Sequence, residues 1–270
     1  MWRYLIPHFA PDHRIVHWHY RGHGRSSPPP DDARVGLDDH VADLDAVVRR
    51  ARVRRGVLVG HSLGVLLAIE YARRFPERVD ALVLVCGSPG RLLDTFHGRP
   101  FLRGLLPEIV RAIDRRPDLA RSLWTNLPIP LGIAVAKIAR EVNPRLILDD
   151  DLVRYLEHMR RVDIALFVRM LLAFSDASAE DFLPSIRVPV LVFAGERDTF
   201  TPAVRAREMA AAIPGAELCV VPGGTHAAPV EQPELVNLRL EKFLRERVGA
   251  RAAAREPRLG LAATSRRSSP

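Results

Sequence analysis

Three residues of this chain could together activate an oxygen nucleophile. Ser62 sits in "GVLVGHSLGVLLAIEYA" (56–72), between Gly60 and Gly64, directly after strand-forming residues and directly before helix-forming ones. Asp198, the last aspartate of the chain, lies in "FAGERDTFTP", and His226, the last histidine, lies in "VVPGGTHAAP". A serine hydroxyl is a weak nucleophile; it needs a base, and the base needs a group that fixes its tautomer. Ser, Asp and His occur here in that chain order. The Gly-x-Ser-x-Gly spacing suits a tight strand-to-helix turn whose small neighbours let the serine project its hydroxyl from the strand end. A helix beginning at Leu63 would add the partial positive charge of its N-terminus and a backbone N–H for a developing oxyanion. Each residue also has a plainer reading: a serine N-cap, a turn aspartate, a surface histidine. What favours the chemical reading is that all three fall just past a predicted strand.

The elements that must position them follow from short apolar runs alternating with helical patterns. Strands are predicted at 13–20 ("HRIVHWHY"), 56–60, 81–86, 189–195 and 216–221, and helices at about 38–52, 63–74, 203–213 and 233–247. Nearly all-apolar strands separated by helices imply an α/β fold: a mostly parallel sheet covered by helices on both faces. In such a sheet the loops after the strands open on one edge, where distant residues can converge. Residues 88–186 break the alternation with amphipathic helical segments and no convincing strand. About a hundred such residues are too many for a simple crossover, so the expectation is an inserted helical cap over that edge. The expected division is therefore a core of 1–87 and 187–248, a cap of 88–186, and a tail of 249–270.

With these motifs in hand, the sequence resembles the α/β-hydrolase family over nearly its whole folded part. "GHSLG" is joined by "YRGHGRSSPP", by "RFPERVDALVLVCGSPG", by "PVLVFAGERDTFTP" and by "GGTHAAPVEQPELVNLRLEKFL". The resemblance implies Ser62 as nucleophile, His226 as general base and then acid, Asp198 as its orienter, and the Leu63 N–H as one oxyanion donor. It also implies no metal or organic cofactor. A serine at this position separates the chain from the family's dehalogenases and epoxide hydrolases, which use an aspartate nucleophile.

Two departures from the family pattern stand out. The loop that carries the family's second oxyanion donor should precede the segment 13–20, where this chain has only "MWRYLIPHFAPD". The first three strands of the family are thus absent, and the expectation is an N-terminal truncation, with Met1 an internal methionine of a longer protein. In the family's sheet the third strand lies beside the one that leads to the serine. Its loss would strand buried backbone groups at about 1–3 kcal/mol each unless 13–20 pairs directly with 56–60. The second departure is "HWHYRGHG", where His17 and His19 share one side of a predicted strand and His23 is near. A metal site is conceivable, but without a nearby carboxylate or cysteine, histidines on a strand end and turn are the preferred reading.

Composition bounds the remaining possibilities. The chain has 270 residues and a formal net charge of +8. Half of that excess falls in 249–270, where five arginines face Glu256 in a segment rich in alanine and serine, which reads as a disordered basic tail. No aromatic-basic interleaving accompanies the charge, so nucleic acid is not an expected partner. The longest apolar stretch, "LPIPLGIAVAKIA" (127–139), is too short and too interrupted to span a bilayer. Cys86 and Cys219, each in an apolar run, read as unpaired thiols of a reducing compartment, hence a cytoplasmic location. The functional expectation is a serine hydrolase cleaving a small or medium carboxylic ester or related acyl bond. The alternatives are an acyltransferase and, because the oxyanion loop is missing, a catalytically impaired or non-catalytic binder of small molecules.

Overall fold

The computed structural model describes residues 1–91 and 101–249. Among these residues, four parallel strands form one sheet in the order β1-β2-β3-β4: β1 Gly56–His61, β2 Val79–Val85, β3 Val190–Gly195 and β4 Glu217–Val221. Helices precede and link them: α1 Leu5–Phe9, α2 Leu37–Arg50 before β1, α3 Leu63–Arg74 between β1 and β2, α9 Ala203–Ala212 between β3 and β4, and α10 Ala228–Glu231 with α11 Pro233–Phe243 after β4. Among the described residues, five α-helices lie between β2 and β3: α4 Phe101–Arg115, α5 Pro117–Thr125, α6 Ile129–Ile138, α7 Asp149–Met159 and α8 Ile164–Phe174. The parallel α/β architecture matches the sequence reading. The expected basic tail lies outside the described residues from position 250 onward.

Strand periodicity sorts the core into two layers. Leu82, Leu84, Val190, Val192 and Ala194 point to one face, where α2, α3 and α9 pack with Val41, Leu44, Ile69 and Met209. Ala81, Val83, Val85, Leu191 and Phe193 point to the other, against Phe9, Val236, Leu240 and Phe243. This is the two-residue alternation of a sheet buried on both sides. It explains why β2 and β3 read as continuous apolar runs.

The segment 13–20 is not a strand, contrary to its pattern. Residues 14–20 carry no regular structure, and no ladder joins them to β1. Its apolar side chains are spent on packing rather than pairing: Ile15 joins the layer of α11, while Trp18 and Tyr20 join the layer of α3. The segment therefore rounds the edge of the sheet and feeds both faces. β1 is the edge strand as a result, and the direct pairing expected between 13–20 and 56–60 does not form. The penalty for unpaired backbone is eased because β1 is half-buried at every residue except Gly60, whereas every residue of β3 is buried. Water can solvate part of what a neighbouring strand would otherwise have satisfied.

Candidate active site

The loops following β1, β3 and β4 carry Ser62, Asp198 and His226, all at the C-terminal edge of the sheet. This is the edge where parallel α/β sheets bind ligands. Ser62 follows directly on β1 with φ 56° and ψ −120°, a left-handed conformation that non-glycine residues avoid. The turn is tight enough that a Cβ on Gly60 would come within 2.2 Å of the Gly64 carbonyl oxygen. Ser62 N donates to Val85 O at 3.0 Å, and Ser62 O accepts from Val65 N at 3.0 Å, so its backbone is anchored on both sides. Ser62 occupies the N-cap position of α3, yet its side chain makes no capping hydrogen bond. The plain reading of this serine as a helix cap therefore does not describe what its hydroxyl does. Leu63 opens α3 and is buried.

Asp198 and His226 are in contact. His226 Nδ1 lies 2.9 Å from Asp198 Oδ2, with the carboxylate fully shielded from solvent and the imidazole 16% exposed. The rest of the carboxylate is satisfied too: Oδ1 accepts from Phe200 N and Thr201 N at 2.9 Å each, and Oδ2 accepts from the Thr201 hydroxyl at 2.8 Å. Such a set of donors holds an anion in one orientation. The carboxylate in turn selects the imidazole tautomer with the proton on Nδ1, leaving Nε2 as a lone pair. Ser62 itself makes no side-chain hydrogen bond to His226 among the described residues. What brings the two loops together is His61, the residue before Ser62, whose Nε2 donates to His226 O at 2.9 Å. The His61 ring packs 4.8 Å from that of His226 and edge-on to Trp2 at 6.2 Å. Burial, with the neighbouring imidazole second, pushes the His61 pKa down to about 3, which keeps it a neutral donor.

Several supporting residues carry no signal that the sequence reading picked up. Glu231 is buried and binds three donors: Asn143 N at 2.6 Å, Thr225 N at 2.7 Å and the Thr225 hydroxyl at 2.8 Å. It thereby ties the residue before His226 to the helical insertion. Gly195 lets the His226 loop approach, since a Cβ there would meet Thr225 O at 2.2 Å. Glu231 stands in "VEQPE" as one acid among several, and only the fold reveals its partners. Gly195, by contrast, could have been suspected from its place at a strand end.

The histidines of "HWHYRGHG" gather with a histidine of α7. The rings of His17 and His19 lie 5.2 Å apart, and His19 stacks at 6.2 Å on His158 of α7. Among the described residues no group of three histidines, cysteines or acids is arranged to hold a metal ion. Cys86 is buried and Cys219 half-buried, both as free thiols whose pKa values burial raises.

The model of the alpha/beta hydrolase fold family matches residues 1–233. The chain belongs to that family. Its relatives within it include a Caulobacter protein named as the carbamate hydrolase RutD, 30% identical over 239 residues that cover 86% of this chain and 80% of the relative. A Bacillus subtilis protein named as a 2-succinyl-6-hydroxy-2,4-cyclohexadiene-1-carboxylate synthase is 27% identical over 90% of this chain and 85% of its own. Among solved structures, a hydrolase from Pseudomonas aeruginosa superposes with a TM-score of 0.71 at 25% identity, covering 90% of this chain and 84% of that one. Membership of the α/β-hydrolase family and the hydrolase names among the relatives support a hydrolase in general. They do not select its substrate.

Proposed function

We propose that the chain is a serine hydrolase acting on a carboxylic ester or a related acyl bond through Ser62, His226 and Asp198. The observation that carries this reading is the buried Asp198–His226 hydrogen bond, placed on the same sheet edge as a strained serine whose hydroxyl has no structural task. In the proposed reaction the Ser62 oxygen attacks the acyl carbon while His226 Nε2 takes its proton. Asp198 stabilises the resulting imidazolium and keeps its orientation. The Leu63 N–H, at the start of α3, donates to the oxyanion of the tetrahedral intermediate, aided by the helix dipole. His226 then protonates the leaving group, and the acyl group remains as an ester on Ser62. A water molecule, deprotonated by His226, attacks that ester and releases the acid with Ser62 restored. The α4–α8 insertion, as a cap above this edge, would shape the acyl pocket. A carbamate, the group in the name of the RutD relative, falls within the same acyl chemistry.

Labelling with a fluorophosphonate probe tests the reading, because the probe phosphonylates only a serine activated by its neighbours. The wild-type chain is expected to be labelled stoichiometrically at Ser62, with Ser62→Ala unlabelled and His226→Ala slowed by about a thousandfold or more. A folded wild-type chain that stays unlabelled would sink the proposal in favour of a non-catalytic binder.

A further inference from the structure

The helical insertion presents an apolar surface that the proposed chemistry does not use. On α6, Leu131, Val135 and Ile138 are 52%, 56% and 82% exposed, and their spacing of four and three residues sets them in one stripe along the helix. The opposite side of α6, through Ile133 and Ala136, already packs on the cluster of Val142, Ile147 and Leu152. The helix is thus apolar on two sides and buries only one. On α5, Leu119 and Leu123 are 48% and 66% exposed, again four residues apart, while Ala120 faces inward. The helices follow each other after a short turn, and Trp124, Leu127, Ile129 and Leu156 line a shallow apolar depression between them and α7. Soluble proteins seldom leave so many large aliphatic side chains exposed on successive helices without a partner for them.

Charge around these stripes decides what kind of partner fits. Residues 115–148 hold six basic side chains, of which Lys137 pairs with Asp149 at 2.6 Å, and two acidic ones. Arg115 ends α4, Arg116 is the N-cap of α5, Arg121 sits on α5, and Arg140 and Arg145 lie beyond the end of α6; all five are exposed. Arg115, Arg116, Arg140 and Arg145 have no carboxylate within ion-pair distance among the described residues, and Arg121 reaches Asp163 only at 3.7 Å. A second copy of the chain meeting this face about a two-fold axis would set these arginines against their own equivalents, which is unfavourable. A nucleic acid would pair with the arginines but give the leucines nothing to bury against. A bilayer with anionic headgroups satisfies both, taking aliphatic side chains between its headgroups and pairing arginines with phosphates.

We infer that the α5–α6 face docks on an anionic lipid bilayer, with α6 lying in the plane of the interface. The insertion would carry this docking to the active-site edge, since the chain after α6 is bonded to both loops there: the Thr199 hydroxyl donates to Glu141 at 3.0 Å, and Asn143 Nδ2 donates to Gly223 O at 2.8 Å. The inference does not rest on the proposed triad, and Ser62→Ala is expected to dock as the wild type does.

Co-sedimentation of the full chain with vesicles of equal parts phosphatidylglycerol and phosphatidylcholine tests it, with pure phosphatidylcholine vesicles as the comparison. Binding is expected to the mixed vesicles only and to weaken as salt is raised. The double variant Val135→Gln, Ile138→Gln is expected to bind at least about tenfold more weakly. Arg116→Gln and Arg140→Gln should each cost about fivefold, a change that leaves the apolar core untouched and so cannot be ascribed to misfolding. Wild-type protein that stays in the supernatant would overturn the inference, as would binding indifferent to both sets of substitutions. A dimer in solution that Val135→Gln, Ile138→Gln disperses would overturn it too, because the face would then belong to a second copy.

Discussion

Ser62 is held at φ 56° by bonds that its own side chain does not make, and this conformation carries a cost of about 1–3 kcal/mol for a residue with a Cβ. The cost is met by the close fit of Gly60 on Gly64 and by the hydrogen bonds of Ser62 N and O, which leave the turn no relaxed alternative. Glycine visits this region freely, whereas alanine shares the strain of serine. Ser62→Gly is therefore expected to be more stable than Ser62→Ala by about 1 kcal/mol after allowing for the extra backbone entropy that glycine loses on folding. Urea unfolding of the two variants checks this, and equal midpoints would show the turn to be unstrained. Both variants lack the hydroxyl, so the comparison isolates backbone geometry from chemistry. Asp198 shows the opposite economy: every donor around it is satisfied, and its orientation is the product of three neighbours, Phe200, Thr201 and His226.

Among the elements, the loop from β4 to α10 depends on a single buried carboxylate. Glu231 uses one oxygen for Asn143 N and the Thr225 hydroxyl and the other for Thr225 N, so all three donors converge on two acceptors. Glu231→Gln keeps the size but turns one acceptor into an NH2 group facing a backbone N–H or a hydroxyl. The variant is expected to lose about 1–3 kcal/mol of stability, measured by urea unfolding. A change well under 1 kcal/mol would mean that the donors find other partners. The segment 13–20 teaches a related lesson about elements. Its alternating apolar and polar residues predict a strand, but alternation reports only that side chains serve two sides, and Ile15, Trp18 and Tyr20 do so while rounding an edge. Pairing also requires a neighbour in register, which alternation by itself does not specify.

At the scale of the whole molecule, acid is the natural stress. His17, His23, His40, His61 and His158 all have pKa values lowered in the fold, with burial the largest cause in each. His40 is wholly buried, with Nδ1 donating to Gly36 O at 2.8 Å and Nε2 making no hydrogen bond among the described residues. His17, His19 and His158 meet where the segment 14–20 touches α7, and the other charges acting there are positive: Arg25, Arg161, His23 and the amino group of Met1. A histidine whose pKa is lower folded than unfolded binds fewer protons in the native state, so unfolding takes up protons as the pH falls. Its stabilising contribution is complete above the unfolded value of about 6.5 and is lost below it, for His61 down to about 3. The urea midpoint is expected to fall progressively from about pH 6.5 downward. A midpoint unchanged at pH 5 would show these histidines to be hydrated and normally titrating.

The sequence by itself determined the elements whose periodicity is strong. The four strands, the helices around them and the helical stretch between β2 and β3 were legible because apolar residues recur at fixed intervals wherever a face is buried. It also pointed to the side chains proposed to act, since Ser62, Asp198 and His226 each follow a strand and parallel strands bring their loops to one edge. Tertiary structure alone decided the rest. That His226 meets Asp198, that the Ser62 hydroxyl caps nothing, that Glu231 binds Thr225 and Asn143, and that β1 rather than 13–20 forms the sheet edge all depend on residues far apart in the chain. Contacts of that kind depend on how whole layers pack, and packing leaves no periodic trace in the order of the residues.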